Sequence, residues 1–340
     1  MEFNQTFIQQ VISTNYTIGE ILSVQPIEIG LIHKTFAITS VQGQYIMQQL
    51  HSVLATPEIA DDFFAVTEFL KQQHVLAPVC VLTNDKTVLS KNGPTVWRMQ
   101  TMCPGITIQK IEQTNVAEEA GKIFGKFHSV MNQLDYQFKS QRTGHDTGAV
   151  YTKFLAVVEK FSGGSIAQDV QREISLIQRE LPDAFLPNDL PVRVVHGDPK
   201  ISNILFVDDH ASSIIDLDTC QRQSILGELG DAFRSWCGNN EDDPNNTFSL
   251  SLFQAAWKGY QTHATFLTKE EKSLLPQAIG TIILELATRF LIDYFEDEYF
   301  GWDDKLYESR RAHNLARCRG QLQLFADYQS KIDDIRMIVV

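Results

Sequence analysis

Several things are scarce in this sequence, and each scarcity narrows its function. Five cysteines in 340 residues, Cys80, Cys103, Cys220, Cys237 and Cys318, form no Cys-x-x-Cys pair and are odd in number. That speaks against a disulfide framework or structural zinc site and for a reducing compartment, the cytoplasm. None of the nine histidines falls at metal-ligand spacing. Basic residues are few, 29 against 42 acidic ones, for a net charge of −13. Such a balance repels a phosphate backbone, so no nucleic-acid partner is expected. The longest apolar run, 278–291, is broken by Glu285 and Arg289, and no membrane span is expected from it. Met1-Glu2-Phe3-Asn4-Gln5 lacks the basic region and apolar core of a secretory signal. Repeats and low-complexity tracts are absent too. The remainder, 43% hydrophobic and 21% charged, is the composition of a soluble chain with a sizeable core, at a length that suits two domains or two lobes.

What is present is the run His196-Gly197-Asp198-Pro199-Lys200-Ile201-Ser202-Asn203, followed by Ile214-Ile215-Asp216. A carboxylate, an Asn five residues on and a second carboxylate eighteen residues after the first are the groups that kinase-type phosphoryl transfer needs. One Asp orients the attacking hydroxyl and takes its proton; an Asn and another Asp hold the Mg²⁺ ions that neutralise the triphosphate. Val192, Val194 and Val195 read as a buried strand, 204–207 as a second, 208–211 as a turn and 213–217 as the returning strand. Asn203 then lies where a loop enters a hairpin, and Asp216 near the end of the returning strand, so the hairpin would carry both metal ligands back towards Asp198. His-Gly-Asp alone reads as an ordinary polar turn between strands. The Asn, the second Asp and the flanking strands together mark a site.

Residues 21–102 read as strand-rich with one helix. Strand patterns cover 27–38 and 44–50. Thr56-Pro57 opens a helix, with Thr as N-cap and Pro at the first position, and Ile59, Phe63, Val66, Phe69 and Leu70 recur at helical spacing. Strands at 79–83, 87–90 and 95–99 complete the order of a kinase amino-terminal lobe. Met102-Cys103-Pro104-Gly105 reads as a hinge. Beyond it the chain is mostly helical: 115–134, where Gly121 and Gly125 permit close helix packing, then 146–161, 166–181, 248–266, 269–299 in two pieces divided near Pro276, and 309–332. The expected fold is α+β and kinase-like, with a nucleotide-binding lobe at 1–103, a catalytic and substrate-binding lobe at 104–340, and the nucleotide in the cleft between them. Backbone groups near Gln100 to Met102 would hold the adenine.

Other residues bear on the same chemistry. The segment Gly30-Leu31-Ile32-His33-Lys34-Thr35-Phe36 has one glycine where a kinase loop covers the phosphates, and taken alone is also a plain hairpin. Gln48 stands where a kinase strand offers a Lys paired with a helix Glu. An amide bonds a phosphate but carries no charge, so the cation would come from Mg²⁺ or from Lys34, unless strand alternation points Lys34 into solvent. Asp218 shares a side with Asp216 if the strand continues, and then serves metal or substrate; otherwise it caps the next turn. Glu228, Asp231 and Arg234 read as a structural tie between the catalytic loop and its neighbouring helix. Arg289, Asp293, His313, Asn314 and Arg317 are polar groups in apolar helical stretches, each either a substrate contact or a satisfied structural group.

These residues carry a resemblance. The chain resembles the aminoglycoside phosphotransferase and choline kinase superfamily, whose signature is His-Gly-Asp-(four residues)-Asn followed by Ile-Asp. Within it the chain is similar to the N-acetylhexosamine 1-kinase-like branch. Tyr45-Ile46-Met47-Gln48, His145-Asp146-Thr147, the Ile-Asp-Leu-Asp-Thr of 215–219, Gly230-Asp231-Ala232-Phe233-Arg234, the segment 289–294 and the segment 313–317 match its pattern. The matches run from about Gly30 to Gln323. The resemblance implies an ATP- and Mg²⁺-dependent small-molecule kinase acting on the anomeric hydroxyl of an N-acetylhexosamine. It implies Asp198 as base, Asn203 and Asp216 as metal ligands, Gly30, His33, Lys34, Gln48, Gln100 and Met102 around the nucleotide, and Asp218, Arg289, His313 and Arg317 towards the substrate. The Gln in place of Lys is a habit of that branch. Two departures, His33 for the usual Asn and Cys220-Gln221-Arg222-Gln223 for Met-Pro-Gly, lie where they could touch substrate. An aminoglycoside, choline or ethanolamine, or homoserine is the alternative acceptor. A pseudokinase-like nucleotide-binding protein is the alternative class, against which the joint presence of Asp198, Asn203 and Asp216 argues.

Overall fold

A computed structural model describes residues 5–27, 33–140, 142 and 144–339, the side chain of Ser165 excepted. Gly30 therefore lies outside the described residues. In chain order the elements are α1 (Gln5–Asn15), β1 (Ile21–Ile27), β2 (Lys34–Ser40), β3 (Gly43–Gln49), α2 (Pro57–Gln72), β4 (Cys80–Val81), β5 (Ser90–Asn92), β6 (Thr95–Thr101) and β7 (Ile106–Thr107). Then come α3 (Thr114–Met131), α4 (Thr147–Phe161), α5 (Ser165–Asp169), α6 (Gln171–Glu180), β8 (Val192–Val195), β9 (Ile204–Val207), β10 (His210–Ile214) and β11 (Gln221–Ser224). Five helices close the chain: α7 (Ile225–Cys237), α8 (Leu250–Gln261), α9 (Lys269–Glu296), α10 (Arg310–Ser330) and α11 (Ile332–Val339).

Two compact units result. The first holds residues 1–107, 130–142 and 203–221; the second holds 108–129, 143–202 and 222–340. The first unit is thus not one continuous stretch, because β9 pairs with β7 through Ile106 opposite Phe206 and Thr107 opposite Leu205. Its main sheet is antiparallel in the order β1-β2-β3-β6-β4, with β5 also on β6. Strand alternation gives the sheet two characters. Met47, Trp97 and Met99 join Ile8, Val11 and Ile12 of α1 in an apolar cluster. Gln48 and Arg98, direct partners across β3 and β6, face the other way, where the Arg98 guanidinium lies 3.7 Å over the ring of Phe63 from α2. Helix α2 starts as expected: Thr56 accepts from the Ile59 amide and Pro57 takes the first position. Helix α1 was not anticipated from the sequence.

In the second unit α9 is the central helix, packed by α10, α7 and α4. It runs unbroken through Pro276, contrary to the expected division. A proline there gives up one backbone hydrogen bond, and burial of Leu275, Ala278, Ile279, Ile282 and Ile283 outweighs it. Among the described residues α9 alone is long and apolar enough to cross a membrane, and 83% of its most apolar window is buried in the fold. The expected helix over 166–181 divides at Val170, whose φ is −123°, and that over 309–332 ends at Ser330 with α11 following. Gly121 and Gly125 do allow backbone contact: a Cβ on either would fall 1.9 Å from the Ala256 carbonyl or 2.4 Å from that of Tyr260. Helices α3 and α8 meet there.

Candidate active site

The His-Gly-Asp loop leaves β8 within the second unit, and a buried carboxylate shapes it. Glu228, on the first turn of α7, accepts from the amides of His196 (2.9 Å) and Gly197 (2.8 Å). Gly197 holds φ at +85°, which a glycine adopts without steric penalty. His128 places Nε2 3.1 Å from the same carboxylate and Nδ1 3.0 Å from the Tyr260 hydroxyl. Behind the loop, Phe124 packs on His196 and Trp236, and the Trp236 indole N–H donates to the Pro199 carbonyl at 2.8 Å. The loop backbone is thus fixed on both sides of Asp198. The Asp198 carboxylate is part-exposed and paired with Lys200 at 2.6 Å. On α7, Arg234 donates to Asp231 at 2.9 Å, the three-residue contact expected from the sequence.

Burial alone would raise the Glu228 carboxyl, but His128, His196 and the Gly197 amide hold it below its ordinary value. A carboxyl with a depressed folded pKa stabilises the fold above its unfolded value, about 4.3, and loses that contribution as pH falls through the folded pKa. Glu228→Gln keeps the shape but turns an amide N–H₂ towards backbone N–H donors. It should cost about 2–4 kcal/mol at neutral pH, and the gap to wild type should narrow on acidification. Urea unfolding across pH measures both; a loss below about 0.5 kcal/mol, the level of an ordinary surface change, would deny Glu228 this role.

Asn203 and Asp216 lie at one end of the β9–β10 hairpin in the first unit. Ile204 pairs with Ile214, and the Ile215 amide donates to the Asn203 carbonyl at 2.9 Å. The hairpin turns at Asp208 and Asp209, whose φ values of 47° and 63° are those of a type I′ turn. The returning strand ends at Ile214, earlier than expected. Asp216 adopts a left-handed conformation (φ 65°, ψ 49°), and a 3₁₀ turn, Leu217–Thr219, follows. Asp218 therefore does not share a strand face with Asp216. Its carboxylate is gripped by Arg98: Nη1 contacts Oδ1 and Nη2 contacts Oδ2 at 2.8 Å. Arg98 Nη2 also donates to Gln48 Oε1 at 2.6 Å. Burial would raise the Asp218 carboxyl, yet Arg98 and His33 keep it far below the ordinary range. Asp218, expected towards the substrate, is held in a buried ion pair with Arg98. Arg98 went unnoticed in the sequence, where a charged residue inside the apolar strand Thr95–Thr101 was its signal.

His33 sets Nε2 3.7 Å from Asp218 while Nδ1 accepts from the His51 amide at 3.2 Å. Lys34 is exposed at the start of β2, the solvent-facing alternative. Gln100 is paired in the sheet with Ile46 and Cys80. The Thr101 and Met102 amides already donate to Val79 and Gln44, so those two N–H groups are spent on the sheet.

The polar residues of α9 and α10 separate into two groups. Asp293 accepts from the amides of Glu298, Tyr299 and Phe300 and from Asn314. His313 stacks on Tyr307 with centroids 4.1 Å apart, sits 3.3 Å from Asp242 and accepts from the Asp303 amide. Arg317 donates to the Gly301 carbonyl at 2.8 Å. His313 and Arg317, expected towards substrate, are thus engaged in fastening the 297–307 segment to α10. Arg289 differs: among the described residues it makes no hydrogen bond or ion pair. It lies over the rings of Tyr299 and Phe300 at 6.0 and 5.8 Å. Beside it His145 bonds Glu285 at 2.9 Å and stands 4.0 Å from Asp231, while Thr147 donates to Glu285 at 2.6 Å. The two carboxylates outweigh burial and Arg289 and raise the His145 pKa.

An antiparallel sheet unit, a helical unit and the His-Gly-Asp loop with its Asn and Asp hairpin define a kinase-like small-molecule phosphotransferase. Residues 23–263 match the phosphotransferase enzyme family (APH), and the chain belongs to that family. A homoserine kinase of Xanthobacter autotrophicus is 23% identical over 282 residues, 83% of this chain and 84% of that protein. Two solved structures share the fold. A microcompartment-associated aminopropanol kinase has a TM-score of 0.66 at 17% identity, covering 96% of this chain and 98% of its own. The amicoumacin kinase hAmiN, in complex with AMP-PNP, Ca²⁺ and Ami, has a TM-score of 0.63 at 13% identity, covering 98% and 94%.

Proposed function

We propose that this kinase uses ATP with Mg²⁺ and phosphorylates the anomeric hydroxyl of an N-acetylhexosamine. Asp198 is the base in this reading: it orients the acceptor hydroxyl and takes its proton as the new O–P bond forms. Its partner Lys200 is half exposed, so an incoming hydroxyl competes with a solvent-screened contact. The donor set fits the metal. Asn203 and Asp216 offer hard oxygens from one hairpin end, and Mg²⁺ is held by few protein ligands plus phosphates and water. When bound, the ion offsets the charge of the triphosphate. Gly30, His33 and Lys34 belong to the segment assigned to the nucleotide, with 1–103 as the nucleotide-binding part of the chain and 104–340 as the catalytic part.

The polar group His145, Asp231, Glu285 and Arg289 carries the sugar reading. It mixes donors and acceptors, as recognition of a neutral polyhydroxylated ligand requires, and aromatic faces lie beside it. A polycationic aminoglycoside would need uncommitted carboxylates. Glu296 is already paired with Lys153 at 2.7 Å and Asp297 approaches Arg310 at 4.0 Å. Homoserine is the second reading, favoured by the name of the Xanthobacter relative and by Arg289, a guanidinium without an ion pair among the described residues that suits a carboxylate. ATP consumption with N-acetylglucosamine, N-acetylgalactosamine, their methyl glycosides and homoserine, with NMR of the product, tests this. Turnover of the free sugars and none of the glycosides is expected. Equal turnover of a methyl glycoside moves the reaction to another hydroxyl, and turnover of homoserine alone puts the second reading first.

A further inference from the structure

Gln48 leaves the third strand without the cation that kinases place there, and the structure supplies a buried arginine one strand away. Arg98 is the direct cross-strand partner of Gln48, with its side chain 2% exposed. Three contacts fix it: the fork on both oxygens of Asp218, the Gln48 carbonyl and the Phe63 ring. Its Nε has no hydrogen-bond partner among the described residues. A guanidinium in contact with a carboxylate acts at a distance as a dipole, not as a free positive charge, so Arg98 does not replace the lysine as a cation for phosphate.

What the pair does is mechanical. Asp218 sits in the 3₁₀ turn that begins directly after Asp216. Asp216 holds a left-handed backbone, a conformation side chains other than glycine rarely adopt. The Ile215 amide ties the chain to Asn203 just before Asp216, and the Arg98 fork ties it to β6 just after. Helix α2 lies against the same turn. An apolar pair could bury this turn equally well, but a bidentate fork also fixes its rotation.

We infer that Arg98 is a positioning residue: its fork on Asp218 locks the turn that presents Asp216 to the metal–nucleotide complex. The inference rests on the assignment of Asp216 as a metal ligand. Partners behind a metal ligand are worth about 10–100-fold in metal affinity or activity. Calorimetry of ATP binding with and without Mg²⁺, together with thermal melting, tests the lock. Arg98→Met strands a buried carboxylate, so it should melt earlier and lose the Mg²⁺-dependent tightening of ATP. Arg98→Met with Asp218→Asn removes both charges, and its melting temperature should recover much of the loss. The Mg²⁺ effect should stay reduced by about ten-fold or more in that double variant. Recovery of the Mg²⁺ effect along with the melting temperature would overturn the inference and leave the pair a fold-stabilising contact. Should the double variant not fold, Arg98→Lys decides: it keeps the charge but cannot grip both oxygens, and a wild-type Mg²⁺ effect there overturns the inference as well. No Mg²⁺-dependent tightening in the wild-type protein would instead overturn the metal assignment of Asp216, so the two failures are told apart.

Discussion

Asp198→Asn is expected to lower kcat by about 10²–10⁴-fold while leaving the affinity for ATP nearly unchanged. The asparagine occupies the same volume and can still accept a hydrogen bond from the acceptor hydroxyl, but it cannot take the proton. The loop backbone should not move, because Glu228 and Trp236 hold it through the amides of His196 and Gly197 and the carbonyl of Pro199, none of which involves the 198 side chain. The substitution therefore separates proton acceptance from loop geometry. Steady-state kinetics with saturating acceptor, alongside nucleotide binding, reads both. Near-normal turnover would show that another group accepts the proton, and a large loss of ATP affinity would place Asp198 on the nucleotide.

Asp216→Ala is expected to remove the Mg²⁺-dependent tightening of ATP binding and to lower kcat by at least about 10²-fold, since charge stabilisation by the metal is a main contribution to phosphoryl transfer. Alanine also tolerates the left-handed backbone poorly, so the folded state should lose about 1–2 kcal/mol. Asp216→Asn keeps the backbone preference and one oxygen donor, and should fall between wild type and alanine in the Mg²⁺ effect. Calorimetry at fixed ATP across a Mg²⁺ titration makes the comparison. An unchanged Mg²⁺ effect in both variants would remove Asp216 from the metal site.

Much of the fold was legible because it is local. Thr56 and Asp146 cap their helices through amides three residues on, within reach of a short window of sequence. The β9–β10 hairpin follows from two apolar runs around Asp208-Asp209. The three-residue contact of Asp231 with Arg234 needs only helical spacing. The errors also have local causes. Pro276 was given its intrinsic effect as a helix breaker, and a buried helix overrode it. The strand towards Asp216 was extended three residues too far, to 217 where it ends at Ile214, because alternation cannot register a left-handed residue such as Asp216.

By itself the sequence determined the class of this protein, through the spacing of His196 to Asn203 and of Asp216, residues close along the chain whose chemistry needs no knowledge of distant partners. It also determined the buried faces of α2 and α3, where Phe63, Val66 and Leu70, and Ala120, Phe124, Phe127 and Met131, recur at helical spacing and are buried. Only the tertiary structure decided what surrounds those residues. Gln48, Arg98 and Asp218 meet across separations of 50 and 120 residues, and Glu228 reaches back 32 residues to the His196 amide. Buried polar groups must find partners wherever the chain brings them. Such pairings depend on strand register and helix packing, which composition and spacing do not encode one residue at a time.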